Sequence, residues 1–250
     1  MMREIFQIII FFLVRGVIVP TFEDFSYFFL LDVIGVSKLL FSVIMLVGSI
    51  CGLIGTFIYK AYGRAADTRT LIIYGTLSVV VGAFLNYVLV RRWNIEMGIS
   101  DYVFIFFTDS VVVITQTVLF QIPLMALFAK ITPKRIEGTT YATLTGTFNL
   151  SFSVISPAMG TAINHRFVGV TAEDLSDYQT LVLINLVGCI LSFVLVFLIP
   201  SKEQIREFRE LREQEYLDTK QNRRERRKEK ARARGLLNED EEELLSQNPE

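Results

Sequence analysis

The sequence has little with which to build a reaction centre or staple a secreted fold. It carries one histidine, His165, two cysteines, Cys51 and Cys189, and one tryptophan in 250 residues. A lone histidine with no H-E-x-x-H pair and no Cys/His cluster excludes the usual zinc centres. No glycine-rich phosphate loop opens a helix, so P-loop chemistry lacks its cradle. Both cysteines fall inside apolar runs, which leaves no disulfide framework. An intramembrane aspartyl protease would need Asp24 or Asp32 to face Asp109, and the signature of such enzymes around the second aspartate is missing. The reading is no enzyme, no metal and no cofactor.

Charge is scarce over most of the chain. Residues 1–200 hold 12 basic and 12 acidic side chains, whereas the last 50 hold 13 and 14, so the net charge of −1 averages two different regimes. Period-two alternation is also missing, which excludes the strands of a membrane barrel. What the chain has instead is apolar length: 52% of its residues are hydrophobic and its mean hydropathy is +0.44. Runs of this kind, at about 1.5 Å per residue, span a hydrocarbon core of about 30 Å. Six can be drawn, which predicts an all-α bundle of six transmembrane helices over residues 1–200 and a charged tail over 201–250, helical at first and then disordered.

The first run, about Ile5 to Ile34, exceeds one bilayer thickness and is read as one long helix kinked at Pro20. The others are Leu39 to Tyr59, Leu71 to Val90, Val103 to Ile131, Thr139 to Ile163 and Leu181 to Ile199. The opening MMREIFQIIIFFLV resembles a leader in charge pattern, but no small-residue cleavage site follows and the apolar run continues, so it is read as the first span. The sequon Asn149-Leu150-Ser151 falls inside the fifth span, out of reach of glycosylation. Lys60, Arg64, Arg69, Lys130, Lys134 and Arg135 share one side with the tail. Acidic residues balance Lys38, Arg91, Arg92 and Arg166 on the other, so both termini are expected in the cytoplasm, with the plasma membrane as the default location and an organelle membrane as the alternative.

Polar residues are shared unequally among the spans. The third and sixth hold mainly Asn86 and Asn185 and read as lipid-facing. The first, fourth and fifth carry groups that are costly in hydrocarbon unless they line a cavity: Arg15, Glu23 and Asp24, then Asp109, Gln116 and Gln121, then Asn149. Arg15 and Glu23 could share a broad helix face, as could Asp109 and Gln116. A structural ion pair is the plainer role for each. Gly48, Gly52 and Gly55 form a small-residue face suited to close helix packing. Pro20, Pro123 and Pro157 kink the three polar spans. The two triplets of spans echo one another, each opening with a long proline-broken helix, as in inverted-repeat transporters.

The segments PTFEDFSYFFLLDVIGVS, GTFIYKAYG, GISDYVFIFFTDS and AKITPKRIEGTTYATLTGTFNL, in this order and spacing, resemble the folate-biopterin transporter family of the major facilitator superfamily. The resemblance covers about residues 5–200 and implies a carrier of folate or pteridine solutes, coupled to protons and working by alternating access. These six helices would then be the carboxy-terminal half of a twelve-helix fold. It also implies cavity roles for Arg15, Asp109 and Gln116, a stacking role for Tyr27 and a cytoplasmic gate at Glu137. The expected partners are the bilayer, the solute, and a second six-helix half or a second copy of the chain. Met1-Met2 stands immediately before the first span, where a cut between halves would fall. The alternatives are a non-transporting accessory or structural membrane subunit and a truncated product of a twelve-helix carrier. In the tail, Arg206 and Glu210 are spaced for a solvated helix. The NRRERRKEKARAR run is read as attraction to anionic lipid rather than to nucleic acid, and the acidic Leu244-Leu245 segment fits a sorting signal.

Overall fold

The computed structural model describes residues 3–63, 66–132, 137–198 and 202–233. Arg64, Lys134, Arg135, the side chain of Glu137 and the Leu244-Leu245 segment lie outside the described residues. The chain forms two units, residues 1–202 and 203–250. Every regular element among the described residues is helical.

The first apolar run becomes two helices, α1 (Arg3–Ile18) and α2 (Glu23–Phe28), the latter running on through a π-helical turn, Phe29–Val33. Then come α3 (Lys38–Tyr62), α4 (Thr68–Val90) and the short α5 (Trp93–Glu96). The next span is α6 (Asp101–Gln116), a π-helical turn (Thr117–Gln121) and α7 (Ile122–Ile131). It is followed by α8 (Glu137–Leu150), a second such turn (Ser151–Ile155) and α9 (Ser156–Ile163), closed by a third, Asn164–Val168. The last apolar helix is α10 (Tyr178–Val194). Three helices are long and apolar enough to cross a bilayer, Lys38–Tyr62, Thr68–Val90 and Asp101–Ile131, and the bent pair α1–α2 makes a fourth if it is one span. The α8–α9 run is rich in Thr, Ser and Gly, and α10 has 17 residues.

The prolines act differently in the three polar spans. At Pro20 the helix does not merely kink: Val19–Phe22 leave helical geometry and the axis turns by 49°. At Pro123 and Pro157 the chain stays helical, because a π-helical turn sits just ahead of each proline and widens the backbone where the ring would strike the carbonyl four residues earlier. Side chains cap the straighter helices: Ser37 Oγ accepts from the Leu40 amide at the start of α3, and Asp67 Oδ2 from the Thr70 amide at the start of α4.

Apolar matching alone does not hold helices together in lipid, so small residues and polar contacts decide their approach. Gly55 and Gly52 of α3 face Thr117 and Val113, while Gly48 has open space beside it. Gly75 of α4 lies against the Leu119 backbone. α4 packs against α10, α6 and α7, and α1 against α8, α9 and α10. The third and sixth spans are therefore not simply lipid-facing. Their outer faces are apolar and exposed, at Leu77, Val81 and Phe84 and at Leu183, Val187 and Ile190, whereas their inner faces meet each other.

The loop end beyond α4 and α10 is tightly tied. Arg92, in a left-handed conformation, pairs with Asp101 at 2.8 Å, and the fully buried Asn94 donates to the same carboxylate at 2.8 Å. Arg91 reaches Gln179 at 2.7 Å, and Asn164 exchanges hydrogen bonds with the Val170 backbone in both directions. Beneath these contacts an apolar cluster gathers Phe22, Phe29, Ile44, Phe104, Tyr178 and Leu181 from α2, α3, α6, α10 and their flanks. At the opposite end Lys130 donates to Thr68 at 2.6 Å. In the second unit, α11 (Lys202–Ala233) is a polar helix with an exposed Arg206–Glu210 pair at 2.8 Å, an arrangement that contributes little stability.

A Cβ at Gly188 would land on the Ile18 carbonyl oxygen and one at Gly160 on that of Thr21, whereas Gly146 has nothing within 4 Å. Gly160→Val and Gly188→Val should each lower the unfolding free energy in detergent by about 1–3 kcal/mol, the usual cost of overpacking. Gly146→Ala, measured in the same chemical denaturation series, should change it by less than about 0.5 kcal/mol.

Candidate functional site

Breaking a helix inside a membrane releases backbone polar groups that must find partners. At Val19–Thr21 three of the partners come from two other helices, α9 and α10. Ser156 Oγ donates to the Val19 carbonyl, Asn185 Nδ2 donates to the Pro20 carbonyl at 2.8 Å, and the Thr21 amide donates to the Ser156 carbonyl at 3.2 Å. One turn earlier Ser151 Oγ donates to the Phe12 carbonyl at 2.6 Å. Gly16, Gly160 and Gly188 supply the space for these approaches. The break is thus gripped between α9 and α10.

Two features flank it. Before the break, Arg15 is 5% exposed. Its guanidinium carbon lies 4.3 Å from the Phe152 ring centroid and 5.7 Å from that of Phe120, so the π-helical turns of the fourth and fifth spans each lend it a ring face. Among the described residues no carboxylate pairs with it, and its Nε has no hydrogen-bond partner. Such cation–π contacts contribute on the order of 0.5–2 kcal/mol and do not replace the hydrogen bonds a buried guanidinium has given up. After the break, a cleft of about 160 Å³ opens between α2, α4 and α10. Glu23, Ser26, Asn86 and Tyr178 line it, together with Thr21, whose buried Oγ has no partner among the described residues. The Tyr178 hydroxyl faces Ser26 and Asn86.

The residues singled out from sequence are not gathered into one place. Arg15 and Glu23 do not share a helix face, because the break and its 49° turn separate them. Glu23 lines the cleft, while Asp24 is exposed beside it. Tyr27 packs its ring edge-on to Phe41 and Phe28, at 5.0 and 5.7 Å between centroids. Asp109 is exposed on α6, and Gln116, one face-repeat on, is half-buried beside Gly82. Gln121 ends the first π-helical turn of that span and is exposed, as is Asn149 on α8. Thr21, Ser26, Asn86, Tyr178 and Asn185 were not singled out. The signal for two of them was visible, since Asn86 and Asn185 are the main polar side chains in otherwise apolar helices, and an amide in such a helix faces a protein interior.

The model of the BT1 family matches residues 1–219. The chain belongs to the BT1 family. This is a family of transporters, not of enzymes, and with its apolar helices the BT1-family chain is an integral membrane protein. It is 26% identical to the folate-biopterin transporter of Synechocystis sp., over 73% of this chain and 36% of that one. Similarity to the probable folate-biopterin transporter 6 of Arabidopsis thaliana is 26% over 65% of the chain and 32% of the relative. For the folate transporter 1 of Plasmodium falciparum it is 21%, over 74% and 36%. The chain spans about a third of the length of these relatives. No solved structure matches it.

Ser156→Ala and Asn185→Leu each strip a donor from a carbonyl at the break. Each should cost about 1–3 kcal/mol in equilibrium unfolding, the penalty for leaving a buried polar group unpaired. Hydrogen exchange of the amides around Val19 and Thr21 should rise more than at Leu144, which is distant in sequence.

Proposed function

We propose that this chain is a six-span half of a major facilitator carrier for folate or pteridine solutes, corresponding to the carboxy-terminal half, and that it works by alternating access with proton coupling. The observation that carries the reading is Arg15, a cation buried between two aromatic rings with no carboxylate partner among the described residues. A folate presents carboxylates, and a guanidinium holds a carboxylate through two parallel hydrogen bonds. Such a solute would supply what the protein withholds from Arg15.

A polar face supports a partner half. Thr139, Thr143, Gly146, Asn149 and Ser153 follow one exposed side of α8 and the turn after it. Polar side chains on that side of a membrane helix suit a water-filled cavity rather than lipid. Asp109 and Gln121, exposed on the neighbouring polar span, suit the same cavity, with Asp109 as the coupling carboxylate and Glu137 as a gate on the tail side. α3 instead offers Leu39, Val43, Leu46, Ile50, Leu53 and Phe57 to its surroundings. The second half is either a further six helices or another copy of the chain. An accessory, non-transporting subunit is the competing reading. Both termini are placed in the cytoplasm, and the plasma membrane is the default location.

Cells producing the chain should accumulate labelled folate or biopterin saturably. Arg15→Ala should lower folate uptake at least tenfold, Arg15→Lys should restore only part of it, and Asp109→Asn should abolish its dependence on a pH gradient. Unchanged uptake by a folded, inserted Arg15→Ala chain would refute the anchoring role. No uptake by the wild-type chain, with correct insertion, would favour the accessory reading. Topology is checked separately: a glycosylation sequon inserted at Gly98 should be modified and one appended after Glu250 should not.

A further inference from the structure

The cleft beyond the helix break is not used by the Arg15 argument. It combines one carboxylate, Glu23, with the hydroxyls of Thr21, Ser26 and Tyr178 and the amide of Asn86, and Phe22 forms an apolar wall. Thr21 Oγ lies buried at the edge of the cleft without a partner among the described residues. Few polar groups converging on an aromatic-walled cleft is the composition of a small-molecule site. The volume of about 160 Å³ suits a fused two-ring heterocycle. A metal cation is less well matched, since a single carboxylate and an apolar wall make a poor oxygen cage.

We infer that this cleft seats the 2-amino-4-oxopyrimidine edge of a pterin ring, with Glu23 accepting from its adjacent N–H groups and Asn86 and Tyr178 completing the polar rim. The inference rests on the pteridine reading above and deepens it. The 2-amino group and the neighbouring ring N–H of a pterin present two donors side by side, the complement of a carboxylate's two oxygens. A ring bearing a 2-oxo group in place of the amine turns an acceptor toward Glu23 and loses half of that match. The ring's apolar faces would meet Phe22, where stacking contributes without demanding further polar partners. The carbonyl–amide contacts at Pro20 and Val19 hold the segment carrying Thr21 and Glu23, so the same clamp that closes the break sets the shape of the cleft.

The test is equilibrium binding of biopterin and of the lumazine bearing the same dihydroxypropyl side chain, its 2-oxo counterpart, to the full chain in lipid nanodiscs, read by pteridine fluorescence. Wild type should favour biopterin over lumazine at least tenfold. Glu23→Gln should weaken biopterin at least tenfold and erase that preference, while Asn86→Leu should weaken both ligands. Glu96→Gln, at the exposed end of α5 and outside the cleft, should change neither. If wild type binds biopterin and the Glu23 and Asn86 variants bind it equally well with the preference intact, the cleft is not the pterin seat and the solute reading survives. If folded wild type binds no pteridine, the solute reading fails and this inference with it. Retained selectivity in Glu23→Gln would by itself overturn the role of the carboxylate.

Discussion

The helix breaks over Val19–Phe22, and the carbonyls freed at Val19 and Pro20 would be untenable in a bilayer if they faced hydrocarbon. Ser156 and Asn185 remove that cost by donating to them, and Gly160 and Gly188 remove the side chains that would keep α9 and α10 away. The arrangement is mutual: Pro157 follows Ser156, whose carbonyl in turn takes the Thr21 amide. A proline in one span is therefore accommodated by the irregular segment of another. The packing continues from this seam along α1, which meets α8, α9 and α10.

The same seam divides the polar groups into two environments. Arg15 lies before the break among aromatic rings, and Glu23 lies after it in a cleft rimmed by hydroxyls and amides. The 49° turn keeps them apart, and each retains its bonding capacity for something else. Under the proposed carrier reading, a solute with an anionic end and a donor-rich ring would match two such unneutralised groups.

Much of the architecture was legible in the residues because its cause is local. Apolar length located the long apolar helices to within a few residues, as with Leu71 to Val90 against Thr68–Val90, since hydrocarbon thickness and helix rise leave little freedom. Pro20, Pro123 and Pro157 marked the irregular places correctly. They did not reveal that the first would break and the others would widen into π-helical turns, because that outcome depends on whether another helix offers donors to the exposed carbonyls. Asn86 and Asn185 were visible as oddities, yet lay in helices whose composition pointed outward. Tyr27 illustrates the converse: an aromatic suited to stacking on a solute spends its edges on Phe28 and Phe41.

Sequence by itself therefore determined that this is a helical membrane protein whose charge is scarce in the apolar segments and gathered mainly in loops and tail, with the expensive polar exceptions in the first, fourth and fifth of those segments. Those properties follow from transfer free energies, which each segment feels independently. Only the tertiary structure decided which polar groups meet. Glu23 joins Asn86 and Tyr178, from helices far apart in sequence, while Arg15 is left with rings. Partnering in a low-dielectric interior is a pairwise matter of ångströms, set by where glycines let backbones touch, and no single segment contains that information.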